Sequence, residues 1–139
     1  MKISSCYPVI MTDRVSETAA FYRTFFGYST SFETEWYVSL VHRSDSATWE
    51  LAVLQFDHPT VPAEYRHKTR GVLINVEVED AAAEYDRLVG GESLTPILEL
   101  RDEEFGQRHF IVADPAGTMV DVIQNIPPQG DFAAAYPDG

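Results

Sequence analysis

The side chains in this 139-residue chain that are equipped for chemistry are few. Two carboxylates, Glu50 and Asp121, sit inside apolar runs, Trp49-Glu50-Leu51-Ala52-Val53 and Val120-Asp121-Val122-Ile123. A charge in such a run has to be paired, hydrated or used. As a pair they suit capture of a cation, or acid–base work if they occupy contrasting environments. Of the four histidines, His109 is the best candidate for ligand binding or proton transfer. His42, His58 and His67 fall at strand ends or in a linker, where histidines are expected at the surface. Cys6 is the sole cysteine, so no internal disulfide is possible. With no basic neighbour in sequence to activate it, it reads as a small contact residue and not as a nucleophile.

Among the aromatics, Trp36 and Phe105 flank loops and are the best stacking surfaces for a ligand. Trp49 has the parity of a core residue, and parity leaves Phe32 and Tyr37 unplaced. The acidic run Asp102-Glu103-Glu104 reads as a solvated loop, with the rim of an entrance that favours cations as its alternative.

Two similar halves must position these groups. The first opens with an apolar strand, Tyr7–Met11. Asp13 is placed to cap a helix whose Val15, Ala19, Tyr22 and Phe26 fall on one face. Gly27 supplies the left-handed stop. Strands are predicted over Tyr28–Glu33, Trp36–His42 and Thr48–Gln55. The second half repeats this order: a strand over Val72–Val78, Asp80 as cap, a helix with Ala82, Tyr85 and Leu88 on one face, and Gly90-Gly91 as its end. Strands follow near Thr95–Leu100, Gln107–Ala113 and Thr118–Asn125. The pattern strand-helix-strand-strand-strand therefore occurs twice, giving an α+β chain of two βαβββ modules with mixed sheets. We read one domain over 1–139: module one about 3–56, a linker about 57–70 in which Pro62 opens a short helical turn through Tyr65, module two about 71–126, and a tail over 127–139. The tail reads as loop, with Phe132 and Tyr136 available to a partner subunit.

One turn fixes which side chains share a face. Asp114-Pro115-Ala116-Gly117 fits a three-residue hairpin loop with glycine at the left-handed position. That register pairs Asp114 with Thr118, Ile111 with Asp121 and His109 with Ile123. Gln107, His109, Asp121 and Ile123 then share one face, of mixed polarity. Phe110, Val112, Val120 and Val122 share the other, which suits packing under a helix. By the same alternation Val72, Ile74, Val76 and Val78 face the helix, and Leu73, Asn75 and Glu77 lie opposite.

The formal net charge of −12 disfavours nucleic acid and anionic membranes as partners and favours cationic small molecules. No apolar run approaches a membrane span, and the start Met1-Lys2-Ile3-Ser4-Ser5 lacks the apolar stretch of a secretory signal. A cytoplasmic location is expected.

The opening Pro8-Val9-Ile10, Asp13, Phe21-Tyr22 and Phe26-Gly27-Tyr28 resembles the start of the glyoxalase/bleomycin-resistance/dioxygenase superfamily, also called vicinal oxygen chelate proteins. The closing Gly106-Gln107-Arg108-His109-Phe110, Asp114-Pro115-Ala116-Gly117 and Asp121-Val122-Ile123-Gln124 is similar to the family's last hairpin. The resemblance spans about residues 3–126. It implies paired βαβββ modules whose curved sheets form a cleft, and a homodimer. In metal-dependent members, ligands lie on the first and last strand of each module. Here those positions are Cys6 and Leu73, then Glu50 and Asp121. Leucine offers no lone pair, and cysteine with two carboxylates matches no usual donor set.

The resemblance therefore points to the metal-free, resistance-type branch: a binding protein without cofactor that sequesters a cationic or aromatic ligand, with Cys6, Trp36, Glu50, Asn75, Phe105, Gln107, His109 and Asp121 as ligand contacts and no catalytic residue assigned. The alternative is a metal-dependent lyase, isomerase or dioxygenase of the same superfamily.

Overall fold

A computed structural model describes residues 1–136. They fall into two compact units. One comprises Met1–Val72 with the turn Asp114–Thr118, the other Leu73–Ala113 with the chain from Met119 onward.

In the first unit, β1 (Val9–Thr12) leads into α1 (Val15–Phe26), followed by β2 (Ser29–Glu33), β3 (Tyr37–Arg43) and β4 (Thr48–Gln55). The sheet order is β1-β4-β3-β2, with β1 parallel to β4 and the other pairs antiparallel. Val15, Ala19 and Tyr22 of α1 are buried, as their spacing predicts. Beneath them Ile10, Val38, Leu40, Leu51 and Val53 form the core. Burying each such side chain is worth about 1.5–3 kcal/mol. Gly27 ends α1 in the left-handed conformation at φ 69°.

Asp13 does not cap this helix. The capping position is Arg14, and it has no side-chain cap bond. The Arg14 amide is met by the Thr12 hydroxyl at 3.1 Å, while Asp13 pairs with Lys68 at 2.8 Å. That ammonium holds the Asp13 carboxyl below its ordinary range.

The second unit has β5 (Leu73–Glu77), α2 (Ala81–Tyr85), β6 (Leu98–Glu103), β7 (Gln107–Ala113) and β8 (Met119–Asn125). Its sheet order, β5-β8-β7-β6, repeats the first. Asp80 caps α2 as expected, accepting from the Ala83 amide at 3.0 Å. The helix continues through a wider π-type segment, Asp86–Gly91, so Leu88 still reaches the core. Tyr85 meets Phe110 edge to face at 5.2 Å between centroids, which identifies the Phe110 side of the sheet as the helix-covered one.

β6 begins three residues later than expected and runs into the acidic segment. Pro96 brings no N–H to the ladder, which holds the strand back. Asp102 and Glu103 are therefore strand residues and not a solvated loop. Asp102 binds Arg108 across the ladder through two bonds, at 2.7 and 3.0 Å. The tail forms a short helical turn, Gly130–Ala135. Phe132 packs edge-on against Phe105, and the Tyr136 hydroxyl donates to the Phe105 carbonyl, so both residues dock on their own chain. Residues 137–139 of the tail lie outside the described residues.

Candidate functional site

The hairpin register read from sequence is the one the structure holds: Ile111 pairs with Asp121, His109 with Ile123, and Asp114 with Thr118 through a 2.9 Å backbone bond. Because β5 lies parallel beside β8, Asn75 stands opposite Asp121. Across β7, Arg101 stands opposite His109 and Glu103 opposite Gln107. Asn75, Asp121, His109, Gln107, Glu103 and Arg101 thus share the face away from α2.

At the centre of this face His109 and Asp121 are 7% and 5% exposed. His109 Nδ1 lies 2.8 Å from Asp121 Oδ1. A carboxylate only accepts, so Nδ1 carries the proton and donates it. The second ring nitrogen, Nε2, is buried without a partner. Glu103 Oε1 is 3.7 Å from it, and the same oxygen is paired with Arg101 Nε. Gln107 is half-buried at the outer end of β7, and Asn75 is exposed.

The other predicted contacts lie elsewhere. Cys6 precedes β1 and is exposed. With Ser5, Trp49 and Glu50 it lines a groove of about 600 Å³ in the first unit. Glu50 lies before the stretch of β4 that β1 covers, and it accepts a hydrogen bond from the Ser5 hydroxyl. Trp49 keeps the predicted parity yet is 51% exposed, its edge against His42. His42 is half-buried between Trp49 and Tyr28, not at the surface. Trp36 stacks flat on His58, 3.7 Å between centroids and 9° between planes. That ring face is already covered, so Trp36 offers a ligand only its other side. Phe32 and Tyr37 lie 6.2 Å apart on the face that includes Glu50. Phe105 serves as the anchor of the tail.

Sequence reasoning missed Arg101 and the place of Glu103 beside His109. The signal was present: Glu104-Phe105-Gly106 is a three-residue loop with glycine last, φ 112°, and it closes through Gly106 N to Glu103 O at 3.0 Å. The rule that read 115–117 also reads 104–106, and it puts Glu103 and Arg101 on the face of His109.

In a second groove of about 720 Å³, Glu77, Glu79, Asp80 and Glu84 gather beside the start of α2.

A family model described as the glyoxalase/bleomycin resistance protein/dioxygenase superfamily matches residues 6–122. The chain belongs to this superfamily. Solved structures share its fold at low identity. One is a glyoxalase/bleomycin resistance protein/dioxygenase from Nocardioides: TM-score 0.73, 16% identity, 100% of this chain and 92% of that one. Another is a family enzyme from Burkholderia phytofirmans PsJN: 0.70, 18%, 86% and 97%. A third is a lactoylglutathione lyase from Agrobacterium tumefaciens: 0.65, 18%, 89% and 96%. No curated protein matches the chain in sequence. At these identities the structural likeness concerns the fold. Among the described residues, no helix is long and apolar enough to cross a membrane.

Metal-dependent chemistry in this superfamily needs converging donors, and the residues present do not fit it. Leu73 on β5 has no lone pair, and Asp121 is engaged by His109. Among the described residues, no three His, Cys, Asp or Glu side chains gather as a metal-binding set.

Proposed function

We propose that this chain is a small-molecule-binding member of its superfamily that takes a cationic, partly aromatic ligand without a catalytic metal. The observation that carries this reading is the row Glu103, His109 and Asp121 on one sheet face. The carboxylates only accept, and Asp121 is met by His109 Nδ1, so the row presents carboxylate oxygens to a visitor. In the first unit, Glu50 on the sheet face that carries Phe32 and Tyr37 offers related chemistry, a carboxylate on a face with aromatic rings. The net charge of −12 draws cations toward both.

The test is a thermal-shift titration with planar organic cations and their anionic or neutral isosteres. A cation at about 100 times its Kd adds about 2.7 kcal/mol of apparent stability, a shift of several degrees. Stabilisation by the anionic isosteres alone, or by nothing across a broad panel, overturns the proposal.

A buried histidine bonded to a carboxylate also motivates a second reading, a metal-dependent lyase, isomerase or dioxygenase. Metal analysis of protein purified without chelator separates the two: stoichiometric Zn, Ni, Mn or Fe, with an activity lost on its removal and restored by its return, replaces the first reading by the second.

A further inference from the structure

We propose that the ligand's polar end is an N–H-bearing cation, a primary ammonium or an amidinium, seated on His109 Nε2 and the Glu103 carboxylate, and that Arg101 is the resident cation it displaces. This rests on the cation-binding reading above and says which cation.

The argument starts from the proton on Nδ1. With that proton donated to Asp121, an imidazole in its neutral form offers only a lone pair at Nε2. The His109 side chain is 9% exposed and Nε2 has no partner, an arrangement proteins avoid unless something completes it. The nearest charged atom, Glu103 Oε1 at 3.7 Å, is another acceptor. In that form two acceptors face one another with no proton between them. A group with at least two N–H bonds, placed at the rim of that gap, satisfies both at once. A charge without N–H satisfies neither.

Arg101 shows that the row already attracts a cation. Its Nε pairs with Glu103 Oε1, while its own side chain is 57% exposed. It serves Glu103 and leaves Nε2 unmet. An exposed ion pair of this kind is weakly held, so a ligand whose N–H groups reach both acceptors competes with it. Asn75 opposite Asp121, Gln107 opposite Glu103 and Asn125 opposite Gln107 are further polar residues of this face, and Glu77, opposite Ile123, adds one more carboxylate to it.

Two probes separate this from simple charge attraction: benzylammonium, which has three N–H bonds, and benzyltrimethylammonium, which has the same charge and none. Each is titrated calorimetrically into the full chain at one ionic strength. We expect benzylammonium to bind about tenfold tighter or more, the value of one charge-assisted hydrogen bond. Arg101→Gln removes the competitor and tightens benzylammonium more than benzyltrimethylammonium. His109→Phe erases the preference between them. Should that variant not fold, the ¹⁵N resonance of His109 Nε2 in the unaltered protein makes the same point: it moves with benzylammonium and not with benzyltrimethylammonium. Equal affinity for the two probes, or an unmoved Nε2 resonance, overturns the proposal and leaves the cation-binding reading standing. Binding of neither probe overturns both.

Discussion

Replacing Asp121 by alanine tests the central feature of the site directly. The carboxylate is 5% exposed and holds the His109 ring by a 2.8 Å bond. Its removal strips a buried charge-assisted hydrogen bond, worth about 1.5–3 kcal/mol. It also leaves the ring with two unmet nitrogens, because Nε2 already lacks a partner. Breaking a buried pair from one side costs about 3–5 kcal/mol when the survivor keeps a charge. A neutral ring leaves no stranded charge, so the lower end applies. We expect a loss of about 3 kcal/mol, which for a chain of this length lowers Tm by about 10 °C. Asp121→Asn retains an oxygen that accepts from Nδ1 and should cost only about 1 kcal/mol. Far-UV circular dichroism is the appropriate probe, because Trp36 and Trp49, the only tryptophans, lie in the first unit and His109 in the second. A loss under about 1 kcal/mol for Asp121→Ala, or equal damage from alanine and asparagine, would refute the reasoning: the carboxylate would then not be what holds the ring.

Two further predictions concern the turns. Asp114 is buried, accepts from the Tyr22 hydroxyl at 2.7 Å and receives the Ala116 and Thr118 amides at 2.9 Å each. Burial nonetheless pushes its carboxyl above the ordinary 3.8, because these bonds offset desolvation only in part. The folded chain therefore holds this proton to higher pH than the unfolded chain does, and stability from this group falls as pH rises from 3.8 through the raised value. Asp114→Asn keeps acceptors for the turn and removes the titration, so across that interval the unfolding free energy of the unaltered protein should fall relative to that of the variant; parallel profiles would dismiss the argument. Gly106, at φ 112°, leaves no room for a side chain: an added Cβ would meet the Ile126 carbonyl oxygen at 2.9 Å and the Tyr136 hydroxyl at 3.1 Å. Gly106→Ala should cost about 1–3 kcal/mol and release the tail, seen as faster proteolysis after Phe132; an unchanged cleavage rate counts against it.

The register of β7 and β8 was legible in the sequence because a turn with one good geometry fixed it. Pro115 presets the first loop position and Gly117 accepts φ 84°. Once Ile111 is set opposite Asp121, the two-residue period carries His109 onto the same face without further information. The helix faces were legible for the same kind of reason, since Val15, Ala19 and Tyr22 can share a side only at helical spacing. What failed involved contacts distant in sequence. Asp13 looks like a cap until Lys68, far along the chain, takes its carboxylate. Trp36 looks like an open platform until the linker brings His58 flat against it. Phe132 and Tyr136 look unpartnered until Phe105 is placed beside them. None of these partners follows from local pattern, because each depends on how a loop returns.

The acidic run is the instructive case, because there local information was present and composition outweighed it. Three consecutive acids suggest repulsion and solvent. Strand alternation divides them: Asp102 points to the side of Arg108, and Glu103 to the side of Arg101 and His109. Each of the two carboxylates thus has its own cation, and the charge density that argued for a loop is shared between two faces. The division has a chemical consequence. If the 104–106 loop held one residue more, the two carboxylates would exchange sides. Asp102 would then face His109 with a shorter side chain, and Arg108 would have Glu103. The unmet Nε2 would be further from any second acceptor, and a primary ammonium would gain nothing over a quaternary one. Loop length, set by Gly106, is therefore what makes the second acceptor available to a ligand at all.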